Sequence, residues 1–117
     1  MRHRMTVILF SLVILAVPAF AHTSAGELSQ NCDAITAKRS DVWDVDRTTK
    51  GGVCAGYLNA VFDFIDSSPD FEVLRDINVA AMMECLQRYA PKHSSEPADK
   101  AVVNALIGEG YLKRRAN

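Results

Sequence analysis

Along residues 52–67 the apolar side chains recur with the period of an α-helix: Cys54, Tyr57, Leu58, Val61, Phe62 and Ile65 stand at i, i+3, i+4, i+7, i+8 and i+11. At about 3.6 residues per turn they fall on one stripe, whereas the two-residue alternation of a strand would divide them between both faces. Such a helix is stable only when its stripe is buried, so the run demands a partner layer from the rest of the chain. Ser67, Ser68, Pro69 and Asp70 end it, because the residue before a proline is pushed out of the helical region and short polar side chains favour turns.

The partner layers follow from the same period. Residues 22–26 are small and polar, which predicts a frayed tail before a first helix over residues 27–36. Residues 38–50 are rich in charge and in Asp, Ser and Thr without a sustained period, which predicts a loop pinned by Trp43. A third helix is expected over residues 79–89, with Val79, Met82, Met83 and Leu86 filling the core and Pro91 as its stop. A fourth is expected to begin at Ser95 or Glu96, where Pro97 suits the first turn and Glu96 and Asp99 complement the positive end of the helix dipole. Its inner face would be Ala98, Ala101, Val102, Ala105 and Leu106, with Lys113, Arg114 and Arg115 at its negative end. No internal repeat occurs, and no alternating run is long enough to argue for a sheet. The expected fold class is all-α, a small four-helix domain.

The N-terminus reads as a cleavable signal peptide over residues 1–21. Arg2 and Arg4 form a basic start, an apolar run covers residues 7–17, and Ala19 and Ala21 fit a small-residue cleavage site. As a helix that run spans about 16 Å against the ~30 Å hydrocarbon core of a bilayer, so no membrane anchor is expected after processing. No cysteine follows the cleavage site and no arginine doublet precedes it, which predicts an unlipidated protein exported unfolded, into a bacterial periplasm. The mature chain, residues 22–117, is long enough for one domain. It keeps 11 basic against 14 acidic residues, a mild balance that gives no reason to expect nucleic acid or an acidic membrane as partner.

Three cysteines in a short exported chain predict one disulfide and one remaining thiol, or a bridge between chains. Cys32–Cys54, Cys32–Cys85 and Cys54–Cys85 all stay open, because the loop-closure terms differ by less than ~1 kcal/mol. Cys54 lies on the apolar stripe, where an ordinary buried thiol also fits. His93 in its polar connection and His22 at the mature terminus read as solvated side chains, since a metal site wants further ligands at defined spacing. No glycine-rich phosphate loop, metal-ligand cluster or Ser-His-Asp arrangement is visible, so no catalytic residue and no cofactor is expected. Asn59, Asp63 and Asp66 share the face opposite Leu58, Val61 and Ile65, a polar strip that is either solvated or meets a partner. Gly52, Gly56 and Ala60 recur every four residues. Because glycine inside a helix costs about 0.5–1 kcal/mol relative to alanine, close packing of a neighbouring element within the domain is expected there.

The central helix resembles the Rap/Tai family of exported immunity proteins in its C-x-G-Y signature, Cys54, Gly56 and Tyr57, followed by the small Ala60 and by Asp63. The last expected helix, with Pro97, Ala98, Val102, Val103, Ala105 and Leu106, is similar to that family as well. The resemblance implies a helical periplasmic protein that binds and inhibits a peptidoglycan-hydrolase effector, an amidase, delivered by type VI secretion. It implies an inhibitor and not an enzyme. For such an inhibitor the polar face with Asn59, Asp63 and Asp66 and the loop over residues 38–50 are the expected contact surface, because loops and polar faces can specify a partner without dismantling the core, and a homodimer would present more of it. Ala60 stands where glycine is usual, and the family cysteines of the loop after the central helix and of the C-terminus are absent. A second likeness is to Hde-type acid-stress chaperones, in the early Cys32 and Asp33 and the late Cys85. That likeness implies a Cys32–Cys85 bridge and a protein that binds unfolded clients at low pH; Cys54–Cys85 is the alternative pairing.

Overall fold

A computed structural model describes residues 23–36 and 45–116 of the chain. The expected signal peptide over residues 1–21 and the expected mature terminus at His22 lie outside the described residues, as do Trp43 and residues 37–44 of the expected loop. Helix α1 is Ala25–Thr36, α2 is Val45–Ser67, α3 is Val79–Tyr89 and α4 is Ala98–Gly108. Two short strands, β1 at Phe71–Val73 and β2 at Leu112–Arg114, and a 3₁₀ turn at Ala90–Lys92 complete the order. The domain is therefore mainly helical with a small sheet, and the expectation of an all-α fold is corrected to that extent.

The stripes expected from periodicity form one core. Cys54, Leu58, Val61 and Ile65 of α2 meet Met82, Met83 and Leu86 of α3 and Ala98, Ala101, Val102, Ala105 and Leu106 of α4 in a single buried cluster, completed by Leu28 and Cys32 of α1. Burying one such leucine contributes about 1.5–3 kcal/mol, so the cluster is the main source of stability. Asn78 caps α3 by accepting a 2.8 Å hydrogen bond from the Ala81 amide, which fixes that helix start where the sequence places it.

Three boundaries differ from expectation. The expected frayed tail is docked from Thr23 onward: the Ala25 and Gly26 amides donate to the Glu96 and Ser94 carbonyls, and the Ala98 amide donates to Thr23. Gly26 permits this approach, because a Cβ there would lie 3.1 Å from the Ser94 side chain. Helix α2 starts at Val45 and takes in part of the expected loop. Asp46 in its first turn suits the helix dipole and pairs with Lys50 at 3.0 Å, and adding turns to a formed helix is cheap compared with nucleating one. Pro97 sits just before α4 instead of inside its first turn.

The sheet is antiparallel, with Phe71 opposite Arg114, Glu72 opposite Lys113 and Val73 opposite Leu112. Lys113 and Arg114 therefore lie in a strand and not at the negative end of α4. Gly110 causes this reversal: at φ 81° it ends α4 with its own amide donating to Ile107 and the Tyr111 amide donating to Leu106. Three-residue strands are too short to display an alternation, which is why periodicity missed them. No helix among the described residues is long and apolar enough to cross a membrane.

Candidate partner-binding surface

The disulfide is Cys32–Cys54, joining α1 to α2 with Cα atoms 5.0 Å apart. Both expected pairings, Cys32–Cys85 and Cys54–Cys85, are thereby corrected, and Cys85 is the free, buried thiol. The apolar stripes of α1 and α2 face one another, so Cys32 and Cys54 meet across the closest helix pair. Burial pushes the Cys85 thiol up from 9.0 to about 11, and the Glu109 carboxylate adds to the shift, which leaves a poor nucleophile. Arg88 pairs with Glu109 at 2.6 Å and holds that carboxyl below its ordinary value.

Of the motif residues, Cys54 is in the bridge, Tyr57 packs half-buried against the core, and Gly56, Ala60 and Asp63 are exposed. Burial, then the nearby Asp99 carboxylate, raises the Tyr57 phenol. The expected close packing at Gly52 and Gly56 does not occur, since a Cβ at either would meet nothing within 4 Å. The close approach falls instead at Gly51, where a Cβ would lie 3.2 Å from Ile35 of α1. Asn59, Asp63 and Asp66 all stand exposed on α2. His93 is less free than a solvated loop residue: its ring stacks on Tyr89 with centroids 3.9 Å apart, and Nδ1 lies 3.7 Å from Glu96. Glu96 also accepts hydrogen bonds of 2.6 Å from the Tyr89 hydroxyl and from the Asn104 amide, tying α3, the connection and α4 together.

Beside the polar strip, α2, α4 and the sheet enclose an open groove of about 600 Å³. Its walls include Tyr57, Ala60 and Phe64 from α2, Asn104 from α4, and Phe71 and Arg114 from the sheet. Phe64 is 60% exposed and meets the buried Phe71 edge-on, with ring centroids 6.4 Å apart. The Arg114 guanidinium, also in the lining, lies 5.3 Å from the Phe71 ring centroid. Reading the sequence by its inner stripe passes over Phe64. Its signal is a second apolar row at Val53, Ala60 and Phe64, spaced i, i+7 and i+11 on a flank of α2 about 110° around from the core stripe. No protein-family model, no curated protein and no solved structure matches the chain.

Proposed function

We propose that the chain is a periplasmic immunity protein, exported through residues 1–21, that binds and inhibits a type VI secreted peptidoglycan amidase. The reading comes from the likeness at Cys54, Gly56, Tyr57, Ala60 and Asp63. The observation that carries it is that the motif-bearing helix is locked to α1 by the Cys32–Cys54 bridge and leaves Asn59, Asp63 and Asp66 exposed on its outer side. A rigid helix with a polar outer face suits inhibition by surface occlusion, because little ordering entropy is lost on binding. The two places that lack the family cysteines, the loop after α2 and the C-terminus, are the two segments held together by the β1–β2 ladder.

The acid-chaperone alternative drew on a Cys32–Cys85 bridge, and the Cys32–Cys54 pairing removes that ground. The test is affinity capture at neutral pH with candidate peptidoglycan amidases, followed by an activity assay on peptidoglycan. The expected result is a stoichiometric complex with one amidase, its activity lost on binding and restored by reversing the charge of Asp63 and Asp66 together. No amidase bound at neutral pH, with many proteins captured after acidification, would replace this reading by the chaperone one.

A further inference from the structure

We infer that docking of the arm Thr23–Gly26 closes the processing site: the bond between Ala21 and His22 is hydrolysed by signal peptidase only while the arm is undocked, so cleavage precedes completion of the fold. This rests on the reading of residues 1–21 as a cleavable signal peptide, and it adds an order of events to that reading.

The arm lies beside the connection between α3 and α4 and is held by its main chain. Ser24 forms an antiparallel bridge with Pro97, the Ala25 amide donates to the Glu96 carbonyl at 2.8 Å and the Gly26 amide to the Ser94 carbonyl at 3.0 Å, and the Ala98 amide donates to the Thr23 carbonyl at 2.8 Å. Ala25 is wholly buried, and the Cβ that Gly26 lacks would lie 3.1 Å from the Ser94 side chain. The Ser24 hydroxyl accepts from the Glu27 amide at 3.2 Å and so turns the arm directly into α1. The surface that receives the arm is itself braced, because Glu96 takes the Tyr89 hydroxyl and the Asn104 amide and donates its own amide to the His93 carbonyl at 3.0 Å.

Hydrolysis adds water across the Ala21–His22 bond, leaving a carboxylate on Ala21 and a protonated amine on His22. A protease takes its substrate as an extended strand whose main-chain groups pair with the enzyme on both sides of the scissile bond. Thr23 and Ser24 are the second and third residues beyond that bond, and at roughly 3.3–3.6 Å per residue they fall within the reach of an enzyme cleft centred on it. In the docked arm the Thr23 carbonyl is taken by Ala98 and the Ser24 carbonyl by the Leu28 amide, so the same groups cannot also bind a protease. Cleavage of the folded precursor therefore tracks the fraction of molecules in which the arm is open. The Cys32–Cys54 bridge lowers that fraction, since it fixes α1, which continues the arm, against α2.

The test uses the full-length precursor, folded with its disulfide formed, and purified signal peptidase in detergent. A second precursor carries a flexible Gly-Ser insert of about eight residues between His22 and Thr23, which moves the scissile bond away from the domain and leaves the arm intact. Protection of Cys85 from alkylation establishes that each precursor is folded. Synthetic peptides covering residues 10–30, with and without the insert, supply the rates for unstructured substrates. After division by those rates, the folded precursor is expected to be cut at least ~30-fold more slowly than the precursor with the insert. Equal rates for the two folded precursors would overturn the inference and leave the signal-peptide reading standing. If the enzyme does not cut the peptides between Ala21 and His22, the signal-peptide reading falls, and the inference falls with it.

Discussion

At Cys85 the chain keeps a thiol that is wholly buried and whose pKa is pushed up to about 11. The neutral thiol is favoured in the folded state, so this contribution to stability is complete below 9.0 and is lost as pH rises toward 11. Iodoacetamide at neutral pH should therefore leave the native protein unlabelled and modify one cysteine per chain once it is unfolded without reductant; native labelling at the unfolded rate would contradict the burial. Glu109 has the opposite sign. Arg88 holds its carboxyl low, so the stabilisation is complete above the ordinary glutamate range and is lost as pH falls through the lowered value. Arg88→Ala should move the Glu109 titration upward, and Cys85 upward too, because the carboxylate then acts on the thiol without its counter-charge; carbon-detected NMR titration reads both. Cys85 and Arg88 are neighbours at i, i+3 on α3, but their contacts with Glu109 are not legible in sequence, since that residue reaches them only when the end of α4 packs beside α3.

Among the elements, α2 carries the clearest contrast between two glycines. Gly56 is mid-helix, exposed and in open space, so Gly56→Ala should stabilise the protein by about 0.5–1 kcal/mol in chemical denaturation. Gly110 is also in open space, but its φ of 81° is one that L side chains avoid, and Gly110→Ala should cost roughly 1–2 kcal/mol. Loss of stability in the first variant would mean that something packs on Gly56 after all. The core stripes of α2, α3 and α4 were legible because each repeats the helical period long enough to be counted. The strands were not, because pairing between Phe71–Val73 and Leu112–Arg114 is set by the turn at Gly110 and by where α4 ends.

Across the whole molecule, the Cys32–Cys54 bridge closes a loop with a sequence separation of 22, and loss of that constraint is worth about 3 kcal/mol in the chain-entropy model. Reduction should lower the melting temperature by more than ~10 °C while far-ultraviolet circular dichroism keeps its helical form below the transition. Peptide mapping without reductant checks the pairing itself: a fragment joining Cys85 to either other cysteine would refute it. The groove is likewise a property of the assembled molecule, since α2, α4 and the sheet each supply one wall.

Periodicity by itself determined helices α2, α3 and α4, their inner faces and the exposure of Asn59, Asp63 and Asp66, because those depend on spacing within one element and on the free energy of hiding apolar surface. Which cysteines pair, where Phe64 finds Phe71, and how Arg88 reaches Glu109 were decided by tertiary structure alone. These are contacts between segments far apart in the chain, and their energies depend on distances that arise only when helices with known faces choose their neighbours.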